Sequence, residues 1–236
     1  MSIKVPKVTG SENVLKHDDI VRLGREFEGI GESRFLNCCL VGFNNYELLD
    51  EVSYYPVDIQ RYAERASIHY SVAYQEVKEF AIKHMEETLF IKLANGATWG
   101  TPLIYDIEFC DTNKYLKIKW NKEVIPLISG KIENGKFLRY DARMDATSSN
   151  KVYLLSELIQ KNMYRLYKFP EYAIVLPTIE IREVTGTLDL YKDYKDLNKR
   201  VIQPTLLEIA KIMGIKLNYK GNKRVVKLWR DRNETV

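Results

Sequence analysis

The sequence contains few of the side chains that build metal centres, redox sites or disulfide frameworks. Only three cysteines and three histidines occur among its 236 residues. Three cysteines cannot all pair with one another, and the adjacent Cys38 and Cys39 lack the spacing of a zinc site. We therefore expect Cys38, Cys39 and Cys110 to be buried free thiols. The histidines, at positions 17, 69 and 84, are scattered, so the sequence predicts no metal site and no cofactor.

Long hydrophobic runs are also missing. The longest apolar stretch, residues 36–43, is interrupted by Asn37 and Gly42, whereas a membrane span needs roughly 20 apolar residues. The first thirty residues hold no basic segment followed by an apolar one, as a secretory signal would. Hydrophobic residues make up 45% and charged residues 29% of the chain, as in an average globular protein. These features predict a cytoplasmic protein without membrane contact.

Positive charge is concentrated at the carboxyl end. The whole chain carries a formal net charge of +4, but residues 190–236 hold twelve Lys and Arg against five Asp and Glu, a net +7. The preceding 189 residues are therefore net −3. Such asymmetry favours a local surface that binds a polyanion. The alternative explanation is a solvated lysine-rich face.

The same order of elements is predicted in each half of the chain. In the first half, Pro56 precedes a helix over residues 57–66, and a second helix begins with Ser71 as its N-cap. Strand-like runs at 103–110 and 115–120 follow, separated by the polar turn Asp111-Thr112-Asn113. This order describes a helix-turn-helix followed by a β-hairpin.

The second half begins with an amphipathic helix predicted over residues 151–169, capped within residues 146–150. A short helix over 178–184 ends near Gly186, and a longer helix covers 190–213. A hairpin with strands at 215–219 and 224–229 follows, with a tight turn centred on Gly221-Asn222. Between the halves, Asn134-Gly135 predicts a further hairpin turn.

These elements predict an α+β protein with two winged-helix domains in tandem. We place an N-terminal arm at residues 1–25, the first winged helix at 26–145 and the second at 146–236.

The sequence lacks the complete motifs of two kinds of site, a nucleotide-binding loop and the metal site of a nicking enzyme. Residues 130–136 match the spacing of a phosphate-binding loop, but Phe137 occupies the position where Ser or Thr would ligate Mg²⁺. The chain also lacks the His-x-His pair with which rolling-circle nicking enzymes bind their metal. Sixteen tyrosines and 32 acids are present, and nothing singles out a catalytic set. The sequence therefore predicts a protein that is not an enzyme.

The 190–213 helix has one apolar side and one basic side at helical spacing. Long cationic side chains on the second helix of a helix-turn-helix suit the major groove. Arg200 could bind a guanine edge, Gln203 an adenine and Asp196 a cytosine amine, while lysines neutralise phosphates. Pro204 predicts a kink. The predicted DNA-binding residues are Lys192, Lys195, Asp196, Lys199, Arg200, Gln203, Lys220, Lys223, Arg224 and Lys227.

Residues 191–209 resemble the recognition-helix region of plasmid replication initiators that bind repeated origin sequences, the iterons. The similarity lies in an aromatic residue followed by Lys199-Arg200, Val201-Ile202, Pro204 and the run Leu206-Leu207-Glu208-Ile209. Residues 149–155 are similar to the start of the family's interdomain helix, and 221–229 to its wing. The resemblance implies tandem winged helices, of which the first, residues 26–145, serves dimerisation or contact with the DNA backbone and the second, residues 146–236, reads the DNA sequence. It implies that monomers bind iterons, help to melt the origin and recruit host replication proteins. It also implies dimers that repress their own gene, and no catalytic step.

Two other functions remain open from the sequence. A winged-helix transcriptional repressor would have the same fold and the same basic surface. A DNA nuclease or relaxase would need a metal site spread across the chain.

Overall fold

The structure, a computed structural model, describes residues 13–17, 29–41, 53–92, 97–128, 137–163, 166 and 172–230. The chain divides into two compact units, Met1–Ala146 and Thr147–Val236. This division falls one residue after the boundary that we placed from the sequence. The predicted Asn134-Gly135 turn lies outside the described residues, as do residues 1–12 and 18–25 of the predicted arm.

The first unit contains a helix-turn-helix followed by an antiparallel hairpin, with a short strand that pairs onto the hairpin. That strand, β2, pairs with β6, and β6 pairs with β5. Two further pairs, β1 with β7 and β3 with β4, are also antiparallel. The elements are β1 Asn13–His17, α1 Ile30–Val41, β2 Tyr55–Pro56, α2 Ile59–Ala66, α3 Tyr70–Glu86, β3 Leu89–Lys92, β4 Thr98–Thr101, β5 Ile104–Cys110, β6 Tyr115–Trp120, α4 Ile125–Ile128, β7 Phe137–Asp141 and a 3₁₀ turn Ala142–Ala146.

The second unit repeats this topology after one preceding helix. Its first strand, β8, pairs with β10, and β10 pairs with β9. The elements are α5 Asn150–Gln160, β8 Ile174–Pro177, α6 Thr178–Val184, α7 Tyr194–Leu197, a π-helical turn Asn198–Ile202, α8 Gln203–Met213, β9 Leu217–Gly221 and β10 Val225–Arg230. A strand, a helix-turn-helix and a hairpin therefore occur twice, and the prediction of two winged helices in an α+β fold is confirmed.

Each unit packs its helices onto the inner face of its three-stranded sheet. In β6, Leu116, Ile118 and Trp120 alternate with more exposed residues and are almost fully buried. In β10, Val226 and Leu228 do the same. Burial of each large apolar side chain contributes about 1.5–3 kcal/mol. The inner faces are thus fixed, and the polar face of each helix-turn-helix remains outside.

Several strands were not predicted from the sequence. Residues 13–17, which we assigned to the arm, form β1 and pair with β7 more than a hundred residues later. The strands β2 and β8 have two and four residues, too short for a period of two to be recognised. The hairpin of β3 and β4 was also missed, although Asn95-Gly96 lies between its strands and is a hairpin signal.

Two helices in the first unit begin at other residues than predicted. Pro56 lies in β2, and α2 begins at Ile59 because the Asp58 side chain accepts a hydrogen bond from the Arg61 N–H at 2.9 Å. The cap of α3 is His69, whose Nδ1 accepts from the Ser71 N–H at 3.3 Å. Ser71 therefore lies in the first turn of α3 and is not its N-cap.

The cap predicted for α5 is present, since Ser149 Oγ accepts a hydrogen bond from the Val152 N–H at 3.4 Å. The helix ends at Gln160, earlier than predicted, and residues 167–169 lie outside the described part of the chain. Of the three cysteines, Cys38 and Cys39 are buried free thiols, as expected, whereas Cys110 is a free thiol that is half-buried. Burial raises the pKa of the Cys38 and Cys39 thiols, which keeps both protonated.

Candidate nucleic-acid interface

The second helix of the C-terminal helix-turn-helix covers residues 194–213, and we call it the recognition helix. It begins at Tyr194, where the Asp193 side chain accepts a hydrogen bond from the Lys195 N–H at 3.4 Å. The predicted start at residue 190 was four residues too early. Lys192 consequently lies in the turn before the helix.

A π-helical turn interrupts the recognition helix just before Pro204. The Gln203 N–H donates to the Asn198 carbonyl, five residues back. Pro204 has no N–H, and its ring would clash with a carbonyl of the preceding turn in a regular α-helix. The sequence predicts a kink here, and the structure has one widened turn that places Pro204 near the start of α8. Lys199 and Arg200 lie inside this widened turn, and such turns are frequent at functional sites.

The recognition helix separates buried from exposed residues by side. Leu197, Val201, Ile202, Thr205 and Ile209 are buried. The opposite side exposes Lys195, Asp196, Lys199, Arg200 and Gln203. The apolar side therefore fixes the helix on the sheet, and the polar side is presented to a partner.

A hydrogen bond within the second unit holds the carboxyl half of the helix. Thr147 Oγ1 donates to Glu208 Oε1 at 2.5 Å, and Thr147 Oγ1 also accepts from the Ser149 N–H at 3.1 Å. The segment that caps α5 is thus bonded to the recognition helix. Glu208 belongs to the run that resembles the initiators, and its hydrogen bond with Thr147 stabilises the fold of the second unit.

The hairpin of β9 and β10, which we call the wing, has a three-residue loop. Asn222 Oδ1 accepts hydrogen bonds from the Arg224 N–H at 2.8 Å and the Val225 N–H at 3.1 Å. The predicted two-residue turn at Gly221-Asn222 is wrong, because Gly221 is the last residue of β9. Lys223 and Arg224 are exposed at the loop, and Lys220 lies directly opposite Lys227 on the strands.

Gly221 serves a close contact and not a turn. A Cβ at this position would overlap the phenolic oxygen of Tyr194 and reach Val226 Cγ2 at 3.0 Å. The Tyr194 ring, from the first residue of the recognition helix, therefore rests on the backbone of the wing. Burial raises the pKa of Tyr194, so this hydroxyl stays neutral. The contact sets how close the helix and the wing come to each other.

All ten residues predicted to bind DNA are exposed. Eight of them are cations, and within the described residues none of the eight forms an ion pair with a carboxylate. Unpaired cations on one surface produce a positive field that attracts a polyanion. They are Lys192, Lys195, Lys199, Arg200, Lys220, Lys223, Arg224 and Lys227.

The equivalent surface of the first unit is different. The exposed residues of α3 are Val72, Gln75, Glu79 and Glu86. Both of its lysines are half-buried and paired within the unit: Lys78 with Asp111 at 2.9 Å, and Lys83 with Glu32 at 2.7 Å. On the hairpin, Lys117 is paired with Glu108 at 2.8 Å.

Two family models match the chain. The WH1 model of the initiator replication proteins matches residues 13–155, and the WH2 model of the initiator Rep proteins matches residues 178–227.

The chain belongs to the initiator replication protein family.

Among solved structures, the initiator is similar to the Pi initiator protein in complex with iteron DNA, at 16% sequence identity and a TM-score of 0.73. That match covers 96% of this chain and 100% of the other. It also matches the WH1 domain of MSBI1.176, a replication protein isolated from a multiple sclerosis patient, at 15% identity, 48% and 91% coverage and a TM-score of 0.38. No curated protein matches the chain. The likeness to the Pi initiator shows the fold of the initiator described here.

Sequence reasoning missed three residues at the surface of the initiator. Leu207 was not among the residues predicted to bind DNA, yet 63% of its surface is exposed. It lies seven residues after Arg200 and four after Gln203, a spacing that could have placed it on the exposed side. Arg182 and Tyr191 shape the turn before the helix, and no sequence pattern marks either of them. The Arg182 side chain bonds to the Tyr191 carbonyl, and the Tyr191 ring contacts the Arg200 guanidinium. Neither contact depends on a regular spacing in the sequence.

The described part of the initiator lacks a metal-binding cluster and a membrane-spanning helix. It contains no group of three or more His, Cys, Asp and Glu side chains that could hold a metal ion. No described helix has the length and apolar content that crossing a bilayer requires.

Proposed function

We propose that this replication initiator binds double-stranded DNA at repeated sequences of a plasmid or phage origin, the iterons. The supporting observation is the set of exposed cations on the recognition helix and wing, which have no carboxylate partners among the described residues. The Pi initiator, which has the same fold, is known in complex with iteron DNA. The protein would act without a cofactor and without a catalytic step.

The roles of the side chains follow from their chemistry. Arg200 would donate two hydrogen bonds to a guanine, Gln203 would bind an adenine, and Asp196 would accept from a cytosine amine. Lys192, Lys195 and Lys199 would neutralise phosphates beside the helix. Lys220, Lys223, Arg224 and Lys227 would do so beside the wing.

The two units would divide the work. The exposed side of α3 carries no cation, so base reading would belong to the second unit. The first unit would serve dimerisation or backbone contact, with a homodimer in equilibrium with the monomer. Repression of its own gene by the dimer, recruitment of host replication proteins by the monomer and a cytoplasmic location complete the proposal.

Salt dependence tests the electrostatic part of the proposal. If about six phosphates are neutralised, the slope of log K against log salt is near −5. Replacing Lys223 by Ala should flatten that slope by about one. The measurement is fluorescence anisotropy of a labelled origin repeat across a salt series. An affinity that does not change with salt would overturn the proposal.

Base reading is tested with Arg200→Ala. At the cognate repeat this variant should lose about 1–3 kcal/mol of binding free energy, and on a duplex of scrambled sequence it should lose less. Equal losses on both duplexes would show that Arg200 contacts only phosphate.

A strand-opening assay on supercoiled origin DNA separates an initiator from a transcriptional repressor, which would bind the DNA without melting it.

A further inference from the structure

The turn between α6 and the recognition helix covers residues 185–193 and is longer than the usual three or four residues of a helix-turn-helix. Two of its residues have positive φ: Gly186 at 62° and Tyr191 at 53°. Positive φ is uncommon for a residue with a bulky side chain. A turn of this length and conformation needs donors for its carbonyl groups, because helix and sheet do not supply them.

Arg182, in the last turn of α6, supplies those donors. Its Nη1 donates to the carbonyl of Leu190 at 2.6 Å and to that of Thr187 at 3.2 Å, and its Nη2 donates to the carbonyl of Tyr191 at 2.7 Å. A guanidinium can hold several acceptors in one fixed plane, whereas the ammonium of lysine is a single point of charge. Arg182 therefore fixes the turn at its carboxyl end, where it enters the recognition helix.

The fixed turn continues to the proposed base-reading residue. The Tyr191 ring lies under the guanidinium of Arg200, with 5.8 Å between Arg200 Cζ and the ring centroid. A cation over an aromatic face is attracted to it and loses rotamer freedom. Arg182 holds the Tyr191 backbone, and Tyr191 in turn restricts where Arg200 can point.

We propose that Arg182 and Tyr191 are positioning residues that preorganise Arg200 for base recognition without contacting DNA themselves. The inference rests on the proposed DNA binding. Preorganisation raises affinity only for the partner that uses the held conformation. The pair should therefore affect sequence-specific binding and leave the general attraction to phosphate unchanged.

The test uses the full-length protein, a labelled origin repeat and a scrambled duplex of equal length. Arg182→Gln is expected to weaken binding to the origin repeat about tenfold, with the scrambled-duplex affinity and the salt slope unchanged. Combined with Arg200→Ala, it should add little, because both changes remove the same interaction. Losses on both duplexes with a flatter salt slope would show a direct phosphate contact, and additive losses would show that Arg182 acts independently of Arg200. Either result would overturn the inference.

Tyr191 variants keep the inference testable if Arg182→Gln unfolds. Tyr191→Gly suits the positive φ at this position and should fold at least as well, yet it removes the ring and should also lose specific affinity. Tyr191→Phe keeps the ring and is the matched control, with near wild-type binding. Specific affinity unchanged in Tyr191→Gly would overturn the inference. Failure of the wild-type protein to prefer the origin repeat would instead overturn the proposed function.

Discussion

Single residues decide how close the recognition helix comes to the wing. Gly221→Ala would push the new Cβ into the Tyr194 hydroxyl, and such overpacking typically destabilises by about 1–3 kcal/mol. Tyr194→Phe removes the phenolic oxygen that the new Cβ would overlap. This oxygen has no hydrogen-bond partner among the described residues. We expect Gly221→Ala to lower the free energy of unfolding and the double variant to recover most of it in urea titrations. Equal destabilisation of the single and double variants would contradict the contact.

The sequence could predict exposed residues here but not their neighbours. Lys195, Lys199 and Arg200 were placed outside because helical periodicity depends only on spacing. The contact of Gly221 with Tyr194 joins residues on two elements, and the carbonyl contacts of Arg182 depend on the path of a turn. Neither the Gly221–Tyr194 contact nor the Arg182 hydrogen bonds produce a pattern that can be recognised in a single sequence. Whether the ten predicted residues contact DNA stays a prediction.

Elements with a clear hydrophobic periodicity were predicted from the sequence. Strands that depend on pairing with residues far away in the chain were not. The helix Thr178–Val184 and the strand Tyr115–Trp120 have the predicted bounds. The strand β1 depends on a partner more than a hundred residues away, and its own five residues carry no strand signal strong enough to reveal it. The π-helical turn likewise follows from Pro204 together with fixed packing on both sides, which a helical wheel does not represent.

The exposed side of the recognition helix includes an apolar residue that we expect to read thymine. Leu207 lies on the same side as Gln203 and is 63% exposed, and apolar side chains in the major groove contact the thymine methyl. Leu207→Ala should weaken binding to the origin repeat about threefold to tenfold. Replacing each thymine in turn by deoxyuridine, which lacks that methyl, should reproduce the loss at one position for the wild type.

The control for this prediction is the same deoxyuridine series with the Leu207→Ala variant. The variant should be insensitive at the position where the wild type responds, because the methyl no longer has a partner. Sensitivity that persists in the variant would show that another residue contacts the methyl.

At the scale of the whole molecule, the two units carry different electrostatics on one repeated topology. The described lysines of the first unit include pairs closed by Asp111, Glu32 and Glu108, while the cations of the second unit's recognition surface lack such partners among the described residues. A net charge of +4 for the chain conceals this division. The two units therefore share a winged-helix topology, but only the second has, among the described residues, the unpaired cations that suit a DNA duplex.

The first unit also gives the molecule a pH-dependent stability through His84. This side chain is 1% exposed and stacks on Phe35 with 5.8 Å between ring centroids. Burial lowers its pKa to about 4, against a raising effect from Glu32 and a further lowering by Lys83. In the unfolded chain its pKa is about 6.5, so between pH 6.5 and 4 the unfolded state binds the extra proton. Stability must therefore fall as pH drops through that window, by about 3 kcal/mol at its lower end.

The substitution His84→Phe should remove this dependence, because a phenyl ring can keep the stack on Phe35 and takes up no proton. Between pH 7 and 5 the carboxylates of Glu108 and Asp111, whose pKa values are lowered by their lysine and tyrosine partners, stay ionised, so these two groups add little to the slope. The measurement is the midpoint of urea unfolding at each pH. A slope that survives in His84→Phe would assign the proton uptake to another group.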